Sequence, residues 1–215
     1  MPFSLIAFDL DGTLVDSLRD LAESANALLT ECGAAPLPES AIGAMVGDGA
    51  AALVARALAA AGVPRPPDAL ERFLALYNAR LLRWTRPYEG VEPLLEEIHS
   101  KVPLAVLTNK PLGSTRRILD GLALSSYFPS ERVLGGDGPF PRKPDPGGLR
   151  WLAASVGAPI ERTLLVGDSP VDRGTARAAS ARLCTARYGF GFRPQPEGEL
   201  YDLVIDAPLD LLKAL

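Results

Sequence analysis

The chain has 215 residues, of which 47% are hydrophobic and 22% are charged, and these values are typical of one globular domain or of one domain with a small insertion. The net charge of -4 at pH 7 gives no electrostatic reason to expect nucleic acid as a partner, and no apolar run approaches the ~18 residues of a membrane-spanning helix, so we expect neither nucleic-acid nor membrane binding. Cys32 and Cys184 have no CxxC spacing, which argues against a disulfide framework or a zinc site. No signal-peptide pattern precedes the first strand, and together with the cysteine usage this favours a cytoplasmic location.

The first predicted element is a short buried strand that ends in two carboxylates. The apolar run at residues 5–8 is long enough for a strand and too short for a helix, and Asp9, Asp11 and Gly12 follow it. Because alternate residues of a strand point to the same side, we expect Asp9 and Asp11 to project into one site. Two carboxylates that close repel each other unless a cation binds there or the two differ in protonation. This arrangement favours phosphoryl-transfer chemistry.

The second predicted unit is a block of helices with no strand pattern inside it. Apolar residues recur at helical spacing through the block, and glycine or proline separates one stripe from the next. The predicted helices lie at residues 18–32, 41–46, 50–61 and 70–84. The glycine-rich segment at residues 47–52 imitates a dinucleotide-binding fingerprint, but it does not follow a strand. We therefore interpret it as a loop of this block that faces the functional site.

Helices and short apolar strands alternate in the rest of the chain. The predicted helices lie at residues 91–100, 114–122, 146–156 and 171–179, and the predicted strands at residues 104–107, 132–134, 164–166, 182–186 and 203–205, with a short terminal helix. This alternation predicts a parallel sheet with helices on both faces. We therefore predict an α/β fold with a Rossmann-like core at residues 1–16 and 86–215, and a helical insertion at residues 17–85.

Polar side chains follow three of the predicted strands. They are Asp9 and Asp11 after the first strand, Thr108 and Asn109 after the strand at residues 104–107, and Asp168 after the strand at residues 164–166. In open parallel sheets, ligands bind at the carboxyl ends of the strands. Three strands thus direct polar groups to one edge, which is a stronger indication of a site than any of the motifs alone.

The motifs, in this order, resemble those of the haloacid dehalogenase-like hydrolases. Residues 8–14 are similar to that family's first motif, and Thr108, Lys143 and residues 167–172 are similar to its second, third and fourth. The resemblance implies that Asp9 is the nucleophile, which forms an acyl phosphate, and that Asp11 is the general acid and base. It also implies that Thr108, with a backbone N–H near Asn109, holds the phosphoryl oxygens, and that Lys143 offsets the negative charge.

The resemblance further implies a Mg²⁺ site and a helical cap domain formed by the insertion. Asp168 would bind the ion together with the Asp9 carboxylate and the Asp11 backbone carbonyl. Asp172 would act through metal-bound water or by orienting Lys143.

Each of these residues also has an ordinary structural interpretation. Thr108 could cap a helix, Lys143 could be a solvated surface lysine, and Asp168 and Asp172 could be acidic residues at a helix start. A calcium loop beginning at Asp9 would need glycine at its sixth position, where this sequence has leucine. The order of all four motifs along one chain favours the catalytic interpretation.

The segments around residues 107–111, 135–146 and 188–191 are similar to bacterial phosphoglycolate phosphatases within that family. This likeness implies a phosphoric monoester hydrolase that acts on a small phosphorylated metabolite, with 2-phosphoglycolate as the expected substrate. The alternatives are a phosphatase or mutase that acts on another small ester such as a sugar phosphate, and a non-catalytic metabolite-binding member of the fold. Residues of the insertion should set specificity, with Asp48, Arg56, Arg80 and Arg83 as candidates. The assembly would be a monomer or a homodimer.

Overall fold

A computed structural model describes residues 2–194 and 202–215 of the chain. Its strands are β1 (Leu5–Phe8), β2 (Val15–Asp16), β3 (Arg86–Pro87), β4 (Leu104–Leu107), β5 (Val133–Leu134), β6 (Thr163–Gly167), β7 (Arg182–Ala186) and β8 (Leu203–Ile205). Its helices are α1 (Leu18–Glu31), α2 (Glu39–Gly43), α3 (Ala50–Ala60), α4 (Ala69–Asn78), α5 (Val91–Ile98), α6 (Leu112–Gly121), α7 (Gly147–Ser155) and α8 (Pro170–Ala179). Short 3₁₀ helices lie at Ser125–Tyr127, Ser130–Arg132, Ile160–Arg162 and Pro208–Ala214. None of the helices in this part of the chain combines the length and the apolar character needed to cross a lipid bilayer.

The main sheet is parallel and has β1 near its centre. Among the described residues, six strands form it in the order β5-β4-β1-β6-β7-β8. Ala7 of β1 lies opposite Ala105 of β4 on one side and Leu165 of β6 on the other. All four residues of β1 are buried, as expected for a strand covered on both faces. The predicted α/β fold with a parallel sheet is confirmed.

Alternate residues of the strands build two cores, one on each face of the sheet. Leu5 and Ala7 belong to the cluster that packs under α7 and α8, whereas Ile6 and Phe8 belong to the larger cluster that includes α5 and α6. The period of two along β1 thus assigns its side chains to opposite faces. This leaves Asp9, directly after the strand, at the carboxyl edge of the sheet.

The insertion is helical, and α1 to α4 form it as the cap domain. The predicted helix at residues 70–84 is wrong at its C-terminal end, because α4 stops at Asn78. The backbone N–H groups of Trp84 and Thr85 donate hydrogen bonds to a side chain of α1, so these residues cannot continue a helix. The chain then pairs β3 antiparallel to β2, a two-stranded connection that sequence analysis missed. The exact limits of the cap, residues 17–85, stay a prediction.

The buried carboxylate of Asp20 links the two connections between the cap and the core by hydrogen bonds. Asp20, in the first turn of α1, is fully buried and accepts hydrogen bonds from the N–H of Trp84 (3.0 Å), the N–H of Thr85 (2.8 Å) and the Thr85 hydroxyl (2.7 Å). A buried carboxylate is costly unless such donors satisfy it. Asp20 therefore joins the start of the cap to its end.

Candidate active site

The carboxyl ends of β1, β4 and β6 bring the predicted site residues to one edge of the sheet, below the cap. A small pocket, partly open to solvent, lies there. The core contributes Asp9, Asp11, Thr108, Asn109, Lys110, Pro111, Asp168, Ser169, Phe190 and Gly191 to its walls. The cap contributes Leu21, Val46, Gly47, Gly49, Ala50, Leu53, Phe73, Leu74 and Tyr77. The expectation that the loop at residues 47–52 faces the site is thus correct for Gly47, Gly49 and Ala50.

Lys143 reaches the site from the loop before α7 and bridges two carboxylates. Its Nζ lies 2.9 Å from Asp9 Oδ1 and 2.6 Å from Asp172 Oδ1, and all three side chains are buried. Burial alone would lower the pKa of Lys143, but the Asp172 and Asp9 carboxylates outweigh it and hold the pKa above its usual value. Lys143 therefore carries a positive charge beside Asp9.

Asp9 is a buried carboxylate in a crowded electrostatic environment. The N–H of Leu10 donates to its Oδ1 at 2.7 Å. Burial raises the pKa of Asp9 from 3.8 to about 6, Asp172 and Asp11 also raise it by repulsion, and Lys143 opposes the rise. Asp9 is thus ionised near neutral pH, with a free-energy cost that a cation would relieve.

Asp168 lies in a cradle of backbone with no space for additional side chains. The N–H of Gly191 donates to its Oδ2 at 2.7 Å. A Cβ added at Gly12, where φ is +85°, would lie 2.0 Å from Asp168 Oδ2, and one added at Gly189 would lie 2.3 Å from Asp168 Cβ. Only glycine therefore allows both loops to approach this carboxylate so closely.

The buried carboxylates fit a metal ion. One ligand oxygen from each of Asp9, Asp168 and Asp172 lies within 4.8 Å of the others. Lys143 forms ion pairs with Asp9 and Asp172, whereas no ion pair of Asp168 is found within residues 2–194 and 202–215. Burial, followed by repulsion from Asp172 and Asp9, raises the pKa of Asp168 well above its usual value. Carboxylate oxygens are ligands of hard divalent cations, so the donor set suits such an ion.

The second carboxylate of the first motif has an ion-pair partner that sequence analysis missed. Lys110 Nζ lies 2.9 Å and 3.0 Å from the two carboxylate oxygens of Asp11, and the Ser17 hydroxyl donates to Asp11 at 2.5 Å. Lys110 also donates to the hydroxyl of Tyr77 in the cap at 2.6 Å. Burial alone would lower the pKa of Lys110, but Asp11 outweighs it and holds the pKa above its usual value. The only signal in the sequence was the position of this lysine, two residues after Thr108.

Thr108 and Asn109 occupy the end of β4 as predicted. The Thr108 hydroxyl accepts a hydrogen bond from the N–H of Lys110 at 3.3 Å. The Asn109 side chain donates to the carbonyls of Gly47 and Lys143, each at 2.9 Å. Asn109 therefore ties the cap loop to the loop that carries Lys143 through its side-chain NH₂ group, whereas its side-chain oxygen is buried without a hydrogen-bond partner among the described residues.

The four charged cap residues expected to set specificity do not line the pocket. Asp48 and Arg56 form an exposed salt bridge with each other at 2.5 Å. Arg80, just after α4, donates to the carbonyl of Leu76 in that helix, and the Arg83 guanidinium lies 5.9 Å from the centre of the Trp84 ring. The cap side of the pocket is instead apolar, apart from the Tyr77 hydroxyl and backbone groups.

Comparison with known proteins agrees with this geometry. The profile of the haloacid dehalogenase-like hydrolases matches residues 6–186. The chain is 44% identical over 203 residues to the phosphoglycolate phosphatase of Rhodospirillum rubrum, which covers 90% of this chain and 83% of that protein. It is 38% identical over 215 residues to the phosphoglycolate phosphatase of Caulobacter vibrioides, covering 97% and 89% of the two chains.

A solved structure is similar over the whole length. The crystal structure of a predicted phosphoglycolate phosphatase from Haemophilus somnus superposes with a TM-score of 0.92 at 31% identity, covering 100% of this chain and 98% of that one. Phosphatases of this kind generally use a metal ion, in agreement with the buried carboxylates at the sheet edge. With the family profile covering most of the chain, the protein belongs to the haloacid dehalogenase-like hydrolases and is a phosphoric monoester hydrolase of that family.

Proposed function

We propose that the protein hydrolyses 2-phosphoglycolate to glycolate and phosphate through an aspartyl-phosphate on Asp9, with Mg²⁺ as its metal ion. The observation that carries this proposal is the buried Asp9 carboxylate, which lines the pocket and is held 2.9 Å from the Lys143 ammonium. A buried carboxylate that stays ionised can attack phosphorus, and the adjacent positive charge offsets the charge that builds up in the transition state.

The reaction has two steps on the chain's own residues. In the first, an Asp9 oxygen forms a bond to phosphorus, the bond from phosphorus to the ester oxygen breaks, and Asp11 donates a proton to the leaving glycolate. In the second, Asp11 takes a proton from a water molecule whose oxygen attacks phosphorus, and the bond to Asp9 breaks. Thr108 and the backbone near Asn109 hold the phosphoryl oxygens throughout.

Mg²⁺ fits the donor set of this site. Asp9, Asp168 and the backbone carbonyl of Asp11 would hold the ion, and Asp172 orients Lys143 through their 2.6 Å ion pair. Bound there, Mg²⁺ would supply positive charge that stabilises the transferring phosphoryl group.

Addition of Mg²⁺ is expected to raise the Tm more at about pH 7.5 than at about pH 5. The pKa of Asp9 rises from 3.8 to about 6 on folding and that of Asp168 rises as well, so in metal-free protein their contribution to stability is present below about pH 4 and is lost as the pH rises through 6. Metal binding reverses this loss, whereas at low pH protons compete with the ion. Thermal unfolding with Mg²⁺ and with EDTA across this pH range measures the effect.

The matched control for the metal site is Asp168→Asn, which keeps the shape of the side chain and removes its charge. This variant should lose most of the Mg²⁺-dependent rise in Tm at every pH. An equal rise at both pH values in the unmodified protein, or an undiminished rise in Asp168→Asn, would contradict the assignment.

The walls of the pocket favour a small substrate with few hydroxyl groups. On the cap side the side chains are apolar except Tyr77, so a sugar hydroxyl buried there would lose its hydrogen bonds to water without replacement. The curated relatives at 44% and 38% identity carry the name phosphoglycolate phosphatase. A sugar-phosphate phosphatase or mutase is less well supported, because the cap arginines named above do not line the pocket. A non-catalytic role has less support too, because each catalytic group is present.

The test is phosphate release from 2-phosphoglycolate, sugar phosphates, nucleotides and other small esters, each with Mg²⁺ and with EDTA. We expect Mg²⁺-dependent turnover with a kcat/KM for 2-phosphoglycolate about tenfold or more above any other compound. A higher kcat/KM for another ester would overturn the substrate, and no release from any compound would overturn the enzymatic function. Under the same proposal the protein works in the cytoplasm, as a monomer or homodimer, without a nucleic-acid or membrane partner.

A further inference from the structure

We propose that Lys110, assisted by Tyr77, is the residue that binds the carboxylate of the substrate, and that the substrate takes the place of Asp11 in the ion pair with Lys110. This inference rests on the proposed function, because it assumes a short phosphorylated acid as substrate. It adds a specificity-determining residue to the reaction. It also explains why a lysine is buried just after the end of β4, in contact with the cap.

Among the described residues that line the pocket, one positively charged side chain could bind an anionic group other than the phosphate. Of the residues that line it within the described chain, Lys110 is the one with a positively charged side chain. Its side chain is 4% exposed, and its Nζ lies 2.9 Å from Asp11, so it is close to the position where the ester oxygen must meet its proton donor. The other wall is formed by apolar cap residues such as Leu53 and Phe73, which offer nothing to a carboxylate.

The charge balance of the pocket changes when catalysis begins. Asp11 is held by Lys110 and by the Ser17 hydroxyl. To act as general acid it must carry a proton and turn toward the ester oxygen, and in that form it no longer balances the charge of Lys110. Without a replacement, Lys110 would then be a buried ammonium whose remaining partner is the neutral hydroxyl of Tyr77, which is an unfavourable state. A substrate that carries its own carboxylate supplies the missing partner, whereas an uncharged ester of the same size does not.

Tyr77 is positioned to complete a site with two donors. Its hydroxyl oxygen accepts from Lys110 Nζ at 2.6 Å, and the described residues show no acceptor for the hydroxyl proton. Its ring is stacked on Phe73 with an angle of 3° between the planes and 5.9 Å between the ring centres, so the hydroxyl is held in place. The ammonium from the core and the neighbouring hydroxyl from the cap can both donate to one carboxylate, so the substrate would contact both domains.

The experiment compares 2-phosphoglycolate with ethyl phosphate, in which a methyl group replaces the carboxylate. We expect Lys110→Met to lower kcat/KM for 2-phosphoglycolate about 100-fold more than it lowers kcat/KM for ethyl phosphate, because the lost contact is specific to the carboxylate. Lys110→Arg should restore part of this preference, and Tyr77→Phe should lower it by about fivefold. The matched control is Lys101→Met, an exposed lysine paired with Glu97, which should leave the preference unchanged.

A second measurement does not depend on turnover. Calorimetric binding of 3-phosphonopropionate, which replaces the ester oxygen by CH₂, is compared with that of propylphosphonate, which lacks the carboxylate. The unmodified protein should bind the first more tightly, and Lys110→Met should abolish the difference. If Lys110 serves only to position Asp11, both esters lose activity equally and both phosphonates keep their relative affinities, which would overturn the proposal. If the unmodified protein hydrolyses ethyl phosphate as well as 2-phosphoglycolate, the proposed substrate fails instead.

Discussion

Replacement of Asp9 by Asn is expected to lower the turnover of 2-phosphoglycolate by about four orders of magnitude or more, because an amide cannot form the acyl phosphate. The amide has nearly the same shape, so the hydrogen bond from the N–H of Leu10 and the packing around β1 should persist. Burial and two neighbouring carboxylates make the ionised form of Asp9 costly in metal-free protein. The Tm without metal at neutral pH should therefore stay the same or rise.

Two measurements separate the chemistry from the fold in this variant. Phosphate release gives the turnover, and thermal unfolding in EDTA gives the stability. A suitable control is Asp68→Asn, the same substitution at a side chain that is 58% exposed and 3.9 Å from Arg72, where neither quantity should change. Activity of Asp9→Asn within tenfold of the unmodified protein would show that the nucleophile lies elsewhere.

Replacement of Lys143 by Met is expected to lower the free energy of unfolding by about 3–5 kcal/mol at neutral pH, because it leaves buried carboxylates without their ion-pair partner. Lys143 Nζ contacts Asp9 at 2.9 Å and Asp172 at 2.6 Å, and the lysine side chain is 2% exposed. Methionine fills a similar volume but supplies no charge. Turnover should fall by about three orders of magnitude or more, because the charge beside the transferring phosphoryl group is lost as well.

A double-mutant cycle identifies the cause of this instability. Urea unfolding in EDTA is measured for Lys143→Met, for Asp9→Asn and for the variant that carries both substitutions. If the ion pair is responsible, Asp9→Asn should raise the stability of Lys143→Met by more than it changes the stability of the unmodified protein, since it then removes one of two unpaired charges. Strict additivity of the two changes would show that Lys143 stabilises the fold through packing rather than through charge.

The sheet and its catalytic edge could be predicted because their signals are local. An apolar run followed by Asp9, and another followed by Thr108, places both side chains at strand ends, and parallel strands bring those ends together. Asp168 follows from the same argument. The partners of Lys143 could not be predicted in this way, because its contacts with Asp9 and Asp172 join three separate segments of the chain.

The loop at residues 47–52 faces the pocket as predicted, whereas the charged cap residues named as specificity candidates do not line it. Arg56 and Arg80 instead donate hydrogen bonds to other groups of the cap. The residues that do face the pocket are apolar or aromatic, and in a helix such a stripe looks the same whether it covers a core or a cavity. The contact between Tyr77 and Lys110 could not be predicted for the same reason, because it joins a cap helix to the end of a core strand.

The carboxylate of Asp20 also limits how the pocket can open. This carboxylate accepts hydrogen bonds from the N–H groups of Trp84 and Thr85, in the connection that leads from the cap back to the core. Asp20 itself lies at the start of α1, next to the connection that leads from the core into the cap, and the paired strands β2 and β3 are adjacent to both connections. Because the two connections are joined in this way, we expect the cap to rotate about them as one unit rather than to move straight away from the sheet. Access to Asp9 would then depend on the angle between cap and core.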